Sequence, residues 1–214
     1  MKLFTLLFNY VLFTISKYNI DESHGLSHAM NSLTYANAIF EEEVIDKPFI
    51  RKHERLIYIS SILHDMCDKK YMNQQEGIKD ISKFISSIEN GSNSLTEKEI
   101  NMIENIIGTM SYSYVKQNGF PNYDEYQTAY NIVREADLLC AYDFDRCMMY
   151  NLFTEENSNI ENAFTEANKL FNIRMFKHHD DGLFKTSYAL NNYKRLDIGA
   201  RNRISHWKRI LNKF

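Results

Sequence analysis

The chain has 214 residues, and at 44% hydrophobic and 14% aromatic it holds enough apolar surface for one sizeable core or at most two small lobes. Seven glycines and two prolines are too few turn formers for a sheet-rich fold with many hairpins, and a formal charge of -3 removes any global argument for nucleic acid or an anionic membrane as partner. The three cysteines, Cys67, Cys140 and Cys147, form no Cys-x-x-Cys pair, which argues against a disulfide framework or a structural zinc knuckle and fits a reducing, intracellular compartment.

Met1 to Ile15 is strongly apolar after Lys2. Asn9 and Tyr10 interrupt it, no small-x-small cleavage site follows, and it falls short of the roughly 20 apolar residues that a bilayer crossing needs. With Leu3, Leu6, Leu7, Tyr10, Val11 and Thr14 on one side, it is predicted to be an amphipathic helix capping the core, and neither a signal peptide nor an anchor is expected. Beyond Asp21-Glu22-Ser23-His24-Gly25, the residues Leu26, Met30, Leu33, Asn37, Phe40 and Val44 fall at helical spacing, which predicts a helix over about 25–43 capped by Asp21 or Ser23. His24 and His28 share a face if both are helical. A zinc-protease His-Glu-x-x-His motif is excluded, because Gly25 stands where the general-base Glu belongs.

Pro48 closes that segment, and a helix over 53–66 carries the apolar run Leu56 to Leu63 into His64-Asp65-Met66-Cys67-Asp68-Lys69-Lys70. Burying charged groups beside aliphatic ones is costly unless something pairs with them, and a divalent metal suits imidazole and carboxylate together. For an isolated His-Asp dipeptide the plainer reading is the polar end of a core helix. Ile78, Ile81, Ile85 and Ile88 mark an amphipathic helix ending at Gly91, and Thr96-x-x-Glu99 is a capping box before Ile100, Ile103 and Ile107. Residues 108–122 read as the longest loop.

Asp124 to about Tyr150 reads as one long helix with Tyr126, Tyr130, Val133, Asp137, Cys140 and Phe144 on a stripe. Asp137 within that apolar stripe needs a metal or a buried cation as its partner. Further helices are predicted over about 160–177 and 188–211, the latter with Tyr193, Leu196, Ala200, Ile204, Trp207 and Leu211 facing inward, and His178 to Phe184 forms a polar turn between them. The expectation is a single all-α domain over 1–214, with its core at about 20–150 and the helices at 2–18 and 160–211 packed on it.

Collected together, His28, His64-Asp65 and Asp137 come from three predicted helices. That order resembles the signature of the HD-domain metal-dependent phosphohydrolases, an all-helical superfamily in which those residues bind one or two divalent ions within a bundle. The chain also resembles the small bacterial-type nucleotide phosphohydrolase branch at His24-x-x-x-His28, Leu63-His64-Asp65-x-x-Asp68-x-Lys70, Met110-Ser111-Tyr112 and Arg134-Glu135-Ala136-Asp137-Leu138-Leu139. It departs from the pattern at Asn31, where family members commonly carry Arg.

The resemblance implies His28, His64, Asp65 and Asp137 as metal ligands. Independently, two imidazoles and two carboxylates make a set hard enough for Mn²⁺, Mg²⁺ or Fe²⁺, with Co²⁺ and Zn²⁺ also compatible, and leave open positions for water and a phosphate oxygen. Asp68 is the candidate to take a proton from the attacking water, or else a carboxylate paired with Lys70. Lys70 suits a phosphate as a point charge, unless it is simply solvated, and His24 is substrate-facing or supports the ligands, unless it is a cap. Arg134 either orients Asp137, reaches substrate or forms a surface salt bridge, Cys67 is a small packing residue, and His178 and His179 are a solvated helix end.

The expected activity is metal-dependent hydrolysis of a phosphomonoester or phosphoanhydride, most simply of a nucleotide, by a metal-activated water. The alternative is a catalytically inactive nucleotide-sensing or scaffold module of the same fold. No DNA, RNA or membrane partner is expected, the partner being a small phosphorylated molecule, and a homodimer is left open.

Overall fold

The computed structural model describes residues 2–88, 94–154 and 159–213, and among these the chain is all-α, with no strand. The α-helices in chain order are α1 (Leu3–Tyr18), α2 (Leu26–Asp46), α3 (Glu54–Leu63), α4 (Gln74–Ile88), α5 (Glu97–Thr109), α6 (Tyr112–Asn118), α7 (Gln127–Cys140), α8 (Phe144–Thr154), α9 (Ile160–Ile173) and α10 (Ser187–Leu211). Short 3₁₀ turns at Glu22–His24, Pro48–His53, Asp124–Tyr126 and Met175–Lys177 join several of them. No helix among the described residues is long and apolar enough to cross a membrane.

The centre of the bundle is α2, α3 and α7, each packed against the other two. The buried face of α2 differs from the predicted stripe: it carries His28, Ala29, Ser32, Ala36, Ile39, Phe40, Glu43 and Val44, while Met30 is 48% exposed. The reason is steric. Small residues on this face let α7 come close, as the 3.6 Å contact of Ser32 Oγ with Cys140 Sγ records. Around this trio, α1 lies on α2 and α3 through Leu7, Val11 and Thr14, and ends where Asn19 takes the left-handed conformation at φ 52°. Helix α10 lies across α2, α7, α8 and α9.

Several boundaries differ from those predicted. The segment expected as one helix over 124–150 breaks at 141–143, because the Asp143 carboxylate accepts from Arg146 N at 3.2 Å and starts α8 afresh. The expected loop at 108–122 contains the end of α5 and all of α6, the latter started by Ser111, whose Oγ accepts from Tyr114 N at 3.2 Å. Helix α3 stops at Leu63 rather than 66, and tight turns with Met66 N donating to Leu63 O and Asp68 N to Asp65 O carry the chain past the His-Asp pair. Helix α9 stops at Ile173, short of the expected 177. The capping box at Thr96 and Glu99 is present with both reciprocal bonds. The expected cap at Gly91 lies outside the described residues.

Glycine matters at one close approach. A Cβ on Gly77 would lie 2.6 Å from Cys67 Cβ and 3.0 Å from Cys67 Cα, so only glycine lets the start of α4 press against the turn that follows His64. Cys67 itself is fully buried, and burial, then Asp65 and Asp68, push its thiol pKa well up, as suits a packing residue and not a nucleophile.

Candidate metal centre

Four side chains meet where the central helices end. His28 lies in the first turn of α2, His64 caps the C-terminus of α3 with Asp65 directly after it, and Asp137 lies in the last turn of α7. His28 Nε2 is 3.1 Å from His64 Nε2, 3.0 Å from Asp65 Oδ2 and 3.4 Å from Asp137 Oδ1. His64 Nε2 is 3.4 Å from Asp65 Oδ1 and 3.6 Å from Asp137 Oδ1. His28, His64 and Asp65 can each offer a ligand atom within 4.8 Å of the other two, the arrangement a single ion requires.

The donor set fits a divalent cation. His64 Nδ1 is 2.9 Å from Ser61 O, an atom that can only accept, so Nδ1 carries the proton and the neutral ring turns a lone pair on Nε2 toward the other three groups. One proton on His28 Nε2 cannot satisfy an imidazole nitrogen and two carboxylates at once, and Asp65 Oδ2, though close, is buried without a hydrogen-bonded partner. A cation among the four heads would answer all of them.

Without an ion the cluster must hold a proton. Burial opposes charge on His64, but Asp65 and Asp137 outweigh it and raise the pKa to about 9. Burial likewise opposes charge on Asp137 and Asp65, yet the two imidazoles hold both carboxyls well below the usual range. The His64 contribution to metal-free stability is therefore complete below its unfolded value of 6.5 and lost as pH rises through about 9, whereas the carboxylate contributions are lost as pH falls below 3.8. The metal-free protein should melt several degrees lower at pH 9 than at pH 6, and Mn²⁺ added at pH 7 in weak buffer should release protons, since a ligating imidazole must be neutral. Melting curves in EDTA and a pH electrode check the two halves.

The centre opens into a cavity of about 310 Å³. Asp68, Lys70 and His24 all line it, Asp68 beyond the end of α3 and His24 in the 3₁₀ turn before α2. Asp68 accepts from Lys70 N at 2.9 Å and lies 3.5 Å from Lys70 Nζ, so the pairing with Lys70 foreseen as its alternative role is present. His24 belongs to the 3₁₀ turn before α2, with Asp21 accepting from Ser23 N. Its Nε2 is 2.8 Å from Lys70 Nζ, and an ammonium can only donate, so Nε2 accepts and the proton sits on Nδ1, within 2.7 Å of Ser23 Oγ and 3.0 Å of Tyr71 OH. Burial first, with help from Lys70, lowers the His24 pKa to about 4 and keeps the ring neutral. His24 is thus a prop for Lys70, whose ammonium also lies over the Tyr150 ring.

Two cavity-lining cations escaped the sequence reading. Arg146 of α8 donates from Nε to Ser23 O and brings Nη2 to 4.0 Å from Asp65 Oδ2. Arg174, just past α9, lies with its guanidinium carbon 4.2 Å from the Tyr112 ring centre. Only the Asp143 cap hinted at the start of α8 and hence at Arg146, and nothing local marks Arg174. Asn31, where the resembled family commonly has Arg, is exposed.

Three readings are corrected. Arg134 does not form a surface salt bridge: it is fully buried and donates from Nη1 to Leu183 O at 2.7 Å. The polar turn at 178–184 holds a fully buried His178 among the Tyr112, Tyr142 and Phe184 rings, where burial and then Arg174 lower its pKa to about 3, while His179 is exposed as expected. His24 lies outside α2, so it does not share a helical face with His28. Compared with protein-family models, curated proteins and solved structures, the chain finds no match.

Proposed function

We propose that this chain is a metal-dependent phosphohydrolase of the HD-domain type, cleaving a phosphomonoester or phosphoanhydride bond of a nucleotide. The observation that carries the reading is the cluster of His28, His64 and Asp65, with Asp137 Oδ1 3.4 Å from His28 Nε2 and 3.6 Å from His64 Nε2, at a cavity whose other walls supply Lys70, Arg146 and Arg174. An acidic ligand set beside several cations suits a phosphate bridging a metal and basic side chains.

His28, His64, Asp65 and Asp137 would hold the ion. Bound there, a divalent ion supplies Lewis acidity toward a phosphoryl oxygen and makes water acidic enough to attack near neutral pH. Arg146 presents a planar fork to phosphate oxygens and is oriented by Ser23 O. Lys70, held between His24 and Asp68, supplies a point charge whose position is fixed before substrate arrives. Asp68 accepts the proton of the attacking water and, being partly exposed in the cavity, passes it on to solvent while Lys70 keeps its charge.

Asp68 also favours a second reading. A carboxylate already engaged by the Lys70 amide and ammonium suits a module that binds nucleotides without cleaving them. One assay separates the two: a panel of nucleoside mono-, di- and triphosphates with Mn²⁺, Mg²⁺, Co²⁺ or Zn²⁺, following phosphate and pyrophosphate release. The enzyme reading expects release that EDTA abolishes. Binding without release under every metal supports the sensor, and neither binding nor release ends both.

A further inference from the structure

Of the two arginines that line the cavity, Arg174 has no partner for its charge among the described residues, and unlike the exposed Lys69 it is partly buried. Arg146 is held by Ser23 O and faces Asp65, and Lys70 is held by His24 and Asp68. Outside the cavity, Arg201 pairs with Asp197 and Arg203 with Asp145. No hydrogen bond or ion pair joins the Arg174 guanidinium to any described residue, and its Nε is buried without a partner. Its guanidinium lies against the face of Tyr112, which supports a planar cation without neutralising it. Burial lowers its pKa, which Asp137 partly offsets and Arg146 reinforces, so Arg174 lies within electrostatic reach of both.

An arginine kept half-buried, uncompensated and repelled by another arginine is a standing cost unless an anion fills the space before it. Arg146 and Arg174 belong to different parts of the wall. The first is in α8 beside the candidate metal ligands, and the second follows the end of α9, against Tyr112 of α6. One phosphate bound between the ion site and Arg146 would leave Arg174 without a counter-charge.

We infer that Arg174 receives a second anionic group of the substrate, so that the site selects molecules carrying two linked phosphates, the nucleoside di- and triphosphate class, over monophosphates. This rests on the function proposed above and narrows it. Tyr112 holds the guanidinium flat at the wall, and two oxygens of the outer phosphate meet its fork.

The test uses probes without a base or a hydrolysable bond: inorganic phosphate and methylenediphosphonate, titrated calorimetrically into the full chain at one fixed free Mn²⁺ concentration. Wild type is expected to bind methylenediphosphonate at least about 10-fold tighter than phosphate, the scale of a charge-assisted hydrogen-bonded pair. Arg174→Ala should lose that preference, with phosphate affinity changed less than about 2-fold and Mn²⁺ binding unaltered, and Arg174→Lys should keep part of it. Equal affinity for both probes in wild type, or an equal loss for both in Arg174→Ala, overturns the inference and leaves the phosphohydrolase reading standing. Binding of neither probe by the Mn²⁺-loaded wild type removes that reading and this one with it. Arg174→Met keeps the volume and removes the charge, and its melting temperature should match or exceed that of wild type; a fall of several degrees makes Arg174 a structural residue and overturns the inference.

Discussion

Asp65→Ala is expected to remove divalent-metal binding and turnover together, whereas Asp68→Ala should keep the metal and lose about 10²- to 10⁴-fold in kcat. Both residues line the same cavity, five positions from Lys70 in one case and two in the other, and they differ in what surrounds them. Asp65 stands 3.0 Å from His28 Nε2 and 3.4 Å from His64 Nε2, with a buried oxygen that has no hydrogen-bonded partner. Among the described residues the Asp68 carboxylate is paired with Lys70. Removing Asp65 also takes from His64 the largest of the influences that raise its pKa, so the imidazole should titrate closer to its ordinary value in the metal-free variant. Metal content and kcat measured on the same purified variants decide the matter. Near wild-type kcat in Asp68→Ala makes that residue a partner of Lys70 and nothing more, and loss of metal from it makes it a ligand.

What could be read from the sequence follows the range of the forces involved. The existence of most helices came through, because Ile78, Ile81, Ile85 and the capping box at Thr96 are local signals of packing and hydrogen bonding, whereas the short α6 was read as loop. The four residues of the centre were legible because charged groups stood on otherwise apolar faces, at His64-Asp65 after Leu63 and at Asp137 beside Leu138. The break at 141–143 was not, since α7 and α8 both turn apolar faces inward and the stripe from Cys140 to Phe144 stays in phase across it. The predicted stripe of α2 chose Met30 over Ala29 because hydrophobicity favours the larger residue, while close helix packing favours the smaller. Arg146 and Arg174 depend on long-range approach, Arg146 meeting Ser23 across 123 positions of chain, and no periodicity reports that.

The same limit hid the division of labour within Arg134-Glu135-Ala136-Asp137, and the second large prediction comes from it. Asp137 faces the cavity, but its two charged neighbours serve the fold. Glu135 is fully buried and accepts from Lys185 N at 2.8 Å, Thr186 N at 3.0 Å and Thr186 Oγ1 at 2.7 Å, while Arg134 donates to Leu183 O two residues earlier in the same stretch. A second buried carboxylate, Glu43 of α2, accepts from Ser187 N at 2.9 Å. Two carboxylates from the central helices thus meet amide donors at the N-terminus of α10, where helix dipole and unpaired N–H groups both favour negative charge. Burial raises the Glu135 pKa, and the bonds from Thr186 and Lys185 oppose that rise. Glu135→Ala would leave three donors without an acceptor in a dry interior, at a cost of about 3 to 5 kcal/mol, which for a chain of this size lowers the melting temperature by roughly 10 °C. Glu135→Gln keeps one acceptor oxygen but turns an amide donor toward Thr186, and should cost about half as much. Neither side chain lies at the ion site, so the fraction of either variant that remains folded should bind Mn²⁺ with wild-type affinity in a titration below its melting range. A melting temperature for Glu135→Ala within about 2 °C of wild type would show that α10 is held by its apolar face, and that the buried carboxylate contributes little to docking it.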